Sequence, residues 1–148
     1  MYRHILISTD GSERSHRAVQ HGLELAKALG AKVTAVTVEA SFDVYGLPSS
    51  RDYQMAGAFT EYTEHAKAHA GKILSAVAET ARAAGVECET AQLLQDHPHQ
   101  AIIQAAEQRG CDLIVMASHG RGGLSAIVLG SVTNKVLAHT KLPVLVCH

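Results

Sequence analysis

The chain has 148 residues, of which 47% are hydrophobic and 18% charged, and its formal net charge is −1. A net charge so close to zero lacks the excess positive charge that is typical of proteins that bind nucleic acid or an anionic membrane. No apolar run approaches the roughly 20 residues that span a bilayer. The first residues lack the apolar core of a signal peptide. We therefore expect a cytoplasmic protein with one domain, residues 1–148.

The first part of the chain predicts a strand, a helix and a second strand. Residues 4–9 are mostly apolar and end at Asp10-Gly11. Ser12 is a suitable N-cap for a helix with a wide apolar stripe, which Gly30 ends. A strand rich in Val and Thr follows at residues 32–38, and residues 39–57 are predicted as a loop.

The rest of the chain continues this alternation of predicted strands and helices. A long helix is predicted over residues 58–84, stopped by Gly85, and a strand over 86–94 has the polar alternation of a sheet edge. Pro98 suits the first turn of a helix that runs to about residue 109. The remaining predicted elements are a strand at 112–117, a helix at 131–139 and a strand at 143–147.

Alternating strands and helices predict the α/β class, as a single-domain open five-stranded parallel sheet with helices on both faces, a Rossmann-like arrangement. In such sheets, ligands bind at the carboxyl ends of the strands, near the point where the strand order reverses. If the first and fourth strands are neighbours at that point, Asp10 and the loop after residue 117 face one crevice.

The segment from Ala117 to Thr133, ASHGRGGLSAIVLGSVT, is the strongest functional signal. Its glycines let the backbone approach a ligand closely. Gly130-Ser131 then opens a helix, whose first N–H groups are unpaired and carry partial positive charge. Such a helix start suits phosphate, so the segment indicates nucleotide binding.

Other interpretations of these residues remain open. Asp10 is equally suited to capping the first helix together with Ser12. His97 and His99 suggest a metal site, but no third ligand lies nearby in the sequence. The three cysteines, none in a CxxC pair, are expected to be small buried hydrophobes rather than disulfides: Cys88, Cys111 and Cys147.

Taken together, these segments resemble the universal stress protein family over essentially the whole chain. The resemblance rests on ILISTDGSERS, AVTV, IIQAA, CDLIVMASHGRGGL, LGSVTNKVL and KLPVLV. The ATP-binding branch has a signature of glycine, two residues, glycine, nine residues, then glycine with Ser or Thr. This chain matches the later part of the signature, with Gly120 as the second glycine, nine residues at 121–129, and then Gly130-Ser131. The first glycine of the signature is replaced by Ala117.

The resemblance implies ATP, with Mg²⁺, as the ligand. It implies that adenine lies near Ser8, Thr9 and Val38, and that ribose lies near Asp10, Ala117 and Gly120. The phosphates would lie at the start of the following helix, at Gly130, Ser131, Val132 and Thr133. Met116 and Arg121 complete the implied site. Asp10 would accept from ribose hydroxyls or hold Mg²⁺ through water, and Ser131 and Thr133 would add hydroxyl donors. The added methyl group of Ala117 would crowd a ribose or phosphate placed against that backbone.

Three functions follow as hypotheses. The first is an ATP-binding regulatory protein of the stress response that hydrolyses ATP slowly or not at all, since no convincing general base is visible. The second, prompted by Ala117, is a nucleotide-free interaction module of the same fold. An adenylyl-transfer enzyme is the least favoured, because the loop after the first strand has one glycine only.

The resemblance also implies a homodimer paired through residues 143–147, an apolar strand expected at a sheet edge.

Overall fold

The structure is a computed structural model that describes residues 1–40, 52–120 and 129–148. Strands and helices alternate along it as β1 (His4–Ser8), α1 (Glu13–Leu29), β2 (Lys32–Glu39), α2 (Asp52–Ala84), β3 (Cys88–Leu94), α3 (Pro98–Gln108), β4 (Leu113–Ala117), α4 (Ser131–His139) and β5 (Val144–Cys147). Among the described residues, no helix is both long and apolar enough to cross a membrane.

The five strands form one parallel sheet in the order β3-β2-β1-β4-β5. The predicted fold class is therefore confirmed. The chain winds outwards from β1 in both directions, so the strand order reverses between β1 and β4. Their register pairs Ile5 with Leu113 and Ile7 with Val115, which brings the two strand ends to the same edge of the sheet.

Helices cover both faces of the sheet because the side chains of each strand alternate between them. Ile5 and Ile7 join a core cluster with α1 and α2. Leu6, between them, joins a second cluster with α3 and α4. All three side chains are fully buried, as expected for a central parallel strand covered on both sides.

The helix ends follow the signals in the sequence. The Ser12 side chain accepts a hydrogen bond from the Ser15 N–H group at the start of α1, and Gly30 ends that helix at φ 65°. Only glycine adopts this left-handed conformation without strain. Pro98 occupies the first turn of α3.

Several predicted boundaries were wrong. Residues 39–57 were expected to be a loop, but α2 begins at Asp52; the Gly, Pro and Ser turn signals lie at 46–50, outside the described residues. β3 begins two residues late because the Val86 N–H group donates to the Ala81 carbonyl and completes the end of α2. β4 begins after Asp112, whose carboxylate accepts from the backbone of Arg3 and His4.

Candidate functional site

The carboxyl ends of β1 and β4 bring Asp10 and Gly120 into contact. A Cβ atom built on Gly120 would lie 3.0 Å from Asp10 Oδ2. A larger residue at position 120 would therefore displace the carboxylate. Asp10 and Gly120 thus meet where the strand order reverses, the place at which the crevice was predicted; residues 121–128 of the glycine-rich loop lie outside the described residues.

Asp10 also has a local role. Its Oδ1 atom accepts a hydrogen bond of 2.9 Å from the Ser12 N–H group, which shapes the turn into α1. Ser12 in turn accepts from the Ser15 N–H group at 3.2 Å. This bond fits the helix-capping interpretation of the half-buried Asp10 carboxylate.

The Thr9 hydroxyl is committed to the loop after β1. Thr9 is 4% exposed. Its Oγ1 atom donates to Ser15 Oγ at 2.9 Å and accepts from the Gly11 N–H group at 3.2 Å. The helix α2 closes this loop from outside, because a Cβ atom on Gly11 would meet Ile73 Cγ1 at 2.8 Å. Thr9 therefore shapes the crevice through hydrogen bonds within the loop.

Three of the predicted site positions share one face of the sheet. Val38 and Met116 belong to the core cluster under α3 and α4. Ser8 follows Leu6 on the same side by strand alternation and pairs with Val36 in register. The ends of three adjacent strands thus present a half-buried hydroxyl beside apolar side chains on the α4 side of the crevice.

Ala117 does not direct its methyl group into the crevice. The residue is 7% exposed and belongs to the core cluster under α1 and α2, on the opposite face from Met116. No described residue other than glycine has a positive φ, so the alanine is not strained. The expected crowding of a ligand by this methyl group is therefore not supported by its position.

The start of α4 lies against the backbone that follows β4. The Gly130 N–H group donates to the Ser118 carbonyl at 2.7 Å. A Cβ atom on Gly130 would lie 3.3 Å from both His119 Cα and the Ser118 carbonyl oxygen, which is tighter than ordinary contact. Gly130 is the N-cap of α4 and provides no side-chain hydrogen bond, in contrast to Ser12 on α1. The first turn of α4 consequently lacks a side-chain cap from its own N-cap residue.

The side chains in this first turn differ in exposure. Ser131 is exposed, Val132 is half-buried, and Thr133 is 2% exposed. The Thr133 hydroxyl donates to the Ala117 carbonyl at 2.9 Å, so it fastens α4 to the end of β4. The expectation that this hydroxyl donates to phosphate is not met in this arrangement, whereas Ser131 is accessible. Arg121 lies outside the described residues.

His119, two residues after the end of β4, is buried in the structure. It is 5% exposed, and its Nδ1 atom lies 3.0 Å from Ser118 Oγ. Its Nε2 atom is buried without a hydrogen-bond partner among the described residues, as is Thr37 Oγ1. The only signal for this burial was the position of His119 directly after a strand end.

The metal interpretation of His97 and His99 gains no support, because the described residues contain no group of three or more ligand-type side chains arranged to hold a metal ion. His99 instead contacts a third histidine, His139, with ring centroids 5.3 Å apart.

All three cysteines are free thiols. Burial raises the pKa of Cys111 to about 11, in agreement with a role as a small apolar residue.

Comparison with known proteins gives one consistent family. The sequence pattern of the universal stress protein family matches residues 1–148. Universal stress protein MJ0531 of Methanocaldococcus jannaschii is 34% identical over 146 residues, covering 99% of this chain and 82% of that protein. A universal stress protein of Thermus aquaticus is 34% identical over 145 residues, covering 98% of both chains.

Solved structures with the same fold agree with these relatives. The structure of the protein MJ0577 has a TM-score of 0.80 and 27% identity, covering 99% of this chain and 96% of that chain. A universal stress protein crystallised in complex with cAMP has a TM-score of 0.68 and 27% identity, covering 99% of this chain and 97% of that chain.

Proposed function

The chain belongs to the universal stress protein family, and from that premise we propose that it is a cytoplasmic regulatory protein that binds an adenine nucleotide. The nucleotide lies at the crevice between the ends of β1 and β4. ATP with Mg²⁺ is the proposed physiological ligand, and hydrolysis is slow or absent. The protein thus responds to stress through nucleotide occupancy rather than turnover.

The observation that carries this proposal is the pair of close approaches at the two glycines. Gly120 leaves little room for a side chain beside the Asp10 carboxylate, and Gly130 leaves little room beside the backbone of His119 and Ser118. Both glycines border the crevice at the reversal of strand order, where ligands bind in this class of sheet. Gly130 also leaves the α4 N-terminus without a side-chain cap, which favours an anion there.

The residues present fit such a ligand. The N–H groups in the first turn of α4 suit phosphate oxygens, with the exposed Ser131 hydroxyl as an additional donor. The Asp10 carboxylate suits ribose hydroxyls, or a Mg²⁺ ion held through water. The ends of β1, β2 and β4 offer Ser8, Val38 and Met116 to the base. The structurally similar universal stress protein in complex with cAMP supports an adenine nucleotide as the ligand class.

Binding is tested by isothermal titration with ATP–Mg²⁺, and by mass spectrometry of nucleotide released from freshly purified protein. Gly130→Val places a branched side chain at the proposed phosphate site and against the backbone of Ser118 and His119, so it should shift the first turn of α4 and abolish detectable binding; circular dichroism checks that the variant is folded. Wild-type protein without affinity for any adenine nucleotide would refute the proposal. Retention of full affinity by Gly130→Val would move the phosphate site elsewhere.

Asp10→Asn tests the ribose and Mg²⁺ role, since asparagine keeps an oxygen for the Ser12 N–H group but loses the charge. A charge-assisted hydrogen bond contributes about 1.5–3 kcal/mol, so affinity should fall by at least about tenfold. Glu24→Gln, an equal charge change on the exposed side of α1, should leave affinity unchanged. Tighter binding by Asp10→Asn would show that the carboxylate only repels the phosphates.

The nucleotide-free interaction module loses its main argument, because the Ala117 methyl group packs in the core. Ala117→Gly should accordingly leave ATP affinity equal to that of the wild type.

Pairing of two copies remains part of the proposal: the outer edge of β5 has no neighbouring strand within the described sheet, and a two-fold contact between identical edges would cover it in both subunits.

A further inference from the structure

Three histidines from two helices form one cluster on the α3–α4 side of the sheet. His97 is the N-cap of α3, His99 lies in its first turn, and His139 is the last residue of α4. The ring centroids of His99 and His139 are 5.3 Å apart, and those of His97 and His99 are 6.2 Å apart. His99 is the buried member, at 9% exposed.

A proton on His99 is unfavourable for several reasons at once. Its ring is buried away from water, and it lies at a helix N-terminus, where the macrodipole disfavours a cation. No acidic side chain occupies the first turn of α3 to offset the charge. Burial, followed by His139, Lys135 and His97, accordingly lowers the pKa of His99 below its usual value of 6.5.

The groups around this ring are basic or apolar. On α4, Lys135 and His139 act on it electrostatically, and the His139 Nδ1–H group donates to the Lys135 carbonyl at 2.7 Å. From β2, the same face presents Val36 and Val38. Asp96, the acidic neighbour of His97 in the chain, is exposed and does not offset the lowered pKa of His99.

This cluster connects the end of α4 to the start of α3. Nearer its middle and N-terminus, α4 is also held by Val136, which is fully buried, and by Thr133, which donates to the Ala117 carbonyl. We propose that the cluster of His97, His99 and His139 is a proton-sensitive contact, which holds α4 against α3 when neutral and loosens the C-terminal turn of α4 when protonated. The device is independent of nucleotide binding, although α4 also carries the proposed phosphate site at its other end.

The coupling between the rings is tested by NMR titration of the histidine side chains. His139→Gln removes one of the neighbouring charges, so the titration midpoint of His99 should move to higher pH. His21→Gln is the matched control, because His21 is exposed on α1, which packs on the opposite face of the sheet. An unchanged His99 midpoint in His139→Gln would show that the two rings do not interact, and would overturn the proposal.

The loosening itself is tested by hydrogen exchange of the wild-type protein between pH 7.5 and 5. After correction for intrinsic exchange rates, amides in the last turn of α4 should lose more protection at low pH than amides of α1. His99→Phe keeps a buried ring without a titrating group and should remove this difference. If His99→Phe does not fold, His139→Gln provides the test, because His139 is at an exposed position. This variant should reduce the difference in protection loss between α4 and α1. Equal protection loss in α4 and α1 of the wild type would overturn the proposal.

Discussion

At the scale of single residues, burial determines which side chains retain their ordinary chemistry. The cysteines show this directly. Burial raises the pKa of Cys111 to about 11 and raises those of Cys88 and Cys147. At pH 8, Cys111 should therefore be thiolate in only about a thousandth of molecules, and the thiolate is the reactive species.

We therefore expect iodoacetamide to label the half-buried Cys88 first and the buried Cys111 last in the native protein. Peptide mass spectrometry over a time course measures the order. In urea, where burial is lost, the three rates should converge. Labelling of native Cys111 as fast as Cys88 would contradict the packing described for this residue.

Stability should depend on pH through two buried histidines. Burial, followed by Lys32, lowers the pKa of His4, and the pKa of His99 is lowered as well. Because both folded values lie below the unfolded value of about 6.5, the unfolded state binds more protons between them. The free energy of unfolding is thus highest above pH 6.5 and falls as the pH drops towards the folded values.

Urea unfolding at a series of pH values measures this slope. His4→Gln removes one of the two titrating groups and should flatten it, although the variant also loses the 2.7 Å contact of His4 Nε2 with Thr34 Oγ1. His21→Gln, which changes an exposed histidine, should leave the slope as it is. A wild-type protein that becomes more stable as the pH falls from 7 to 6 would contradict the prediction.

At the scale of elements, the contact of α1 with the sheet depends on a glycine. A Cβ atom on Gly22 would lie 2.5 Å from Ile7 Cδ1 and 2.9 Å from its Cγ1 atom, and Ile7 is fully buried. Gly22→Ala should therefore destabilise the fold, because overpacking costs about 1–3 kcal/mol, more than the ~1 kcal/mol that alanine contributes to helix propensity.

Gly71 on α2 offers the matched control. Its added Cβ atom would meet only Gln92 Nε2, at an ordinary 3.5 Å. Gly71→Ala should therefore stabilise the protein by up to about 1 kcal/mol. Urea midpoints of the two variants should move in opposite directions, and a shift of both in the same direction would show that helix propensity or packing alone decides the outcome.

At the scale of the whole molecule, β5 lies at the edge of the sheet, and no other described strand pairs with its outer side. Leu145 is 39% exposed, and Val144 and Val146 are half-buried. An apolar edge strand is an aggregation risk unless it is covered. We expect a homodimer paired through this edge, and expect Val144→Lys with Val146→Lys to yield a monomer because the charges would lie in the contact; circular dichroism checks that the variant is folded, since Val144 also packs against the α3–α4 core cluster.

Light scattering at micromolar concentration measures the mass of both proteins. Lys27→Arg and Lys32→Arg, at exposed positions outside β5, keep the charge and serve as controls that should leave the oligomeric mass unchanged. A monomeric wild type would refute the pairing, and a dimer that survives both substitutions would place the interface elsewhere.

The sequence by itself determined the types and order of the elements, because periodicity and capping are local properties. Apolar alternation predicted the strands, and Ser12, Gly30, Gly85 and Pro98 marked helix ends that the structure confirms. The start of α2 escaped prediction because residues 52–57 carry no strong start signal. The resemblance to the universal stress protein family, which rests on segments along the whole chain, was also available from the sequence, and the family is confirmed.

Only the tertiary structure decided which distant residues meet and which way each side chain faces. The strand order placed Gly120 against Asp10 across more than a hundred residues of chain. It also turned the Ala117 methyl group into the core, engaged the Thr133 hydroxyl with the Ala117 carbonyl, and joined His99 to His139. These contacts depend on how the helices pack on the two faces of the sheet, and no local pattern encodes that packing.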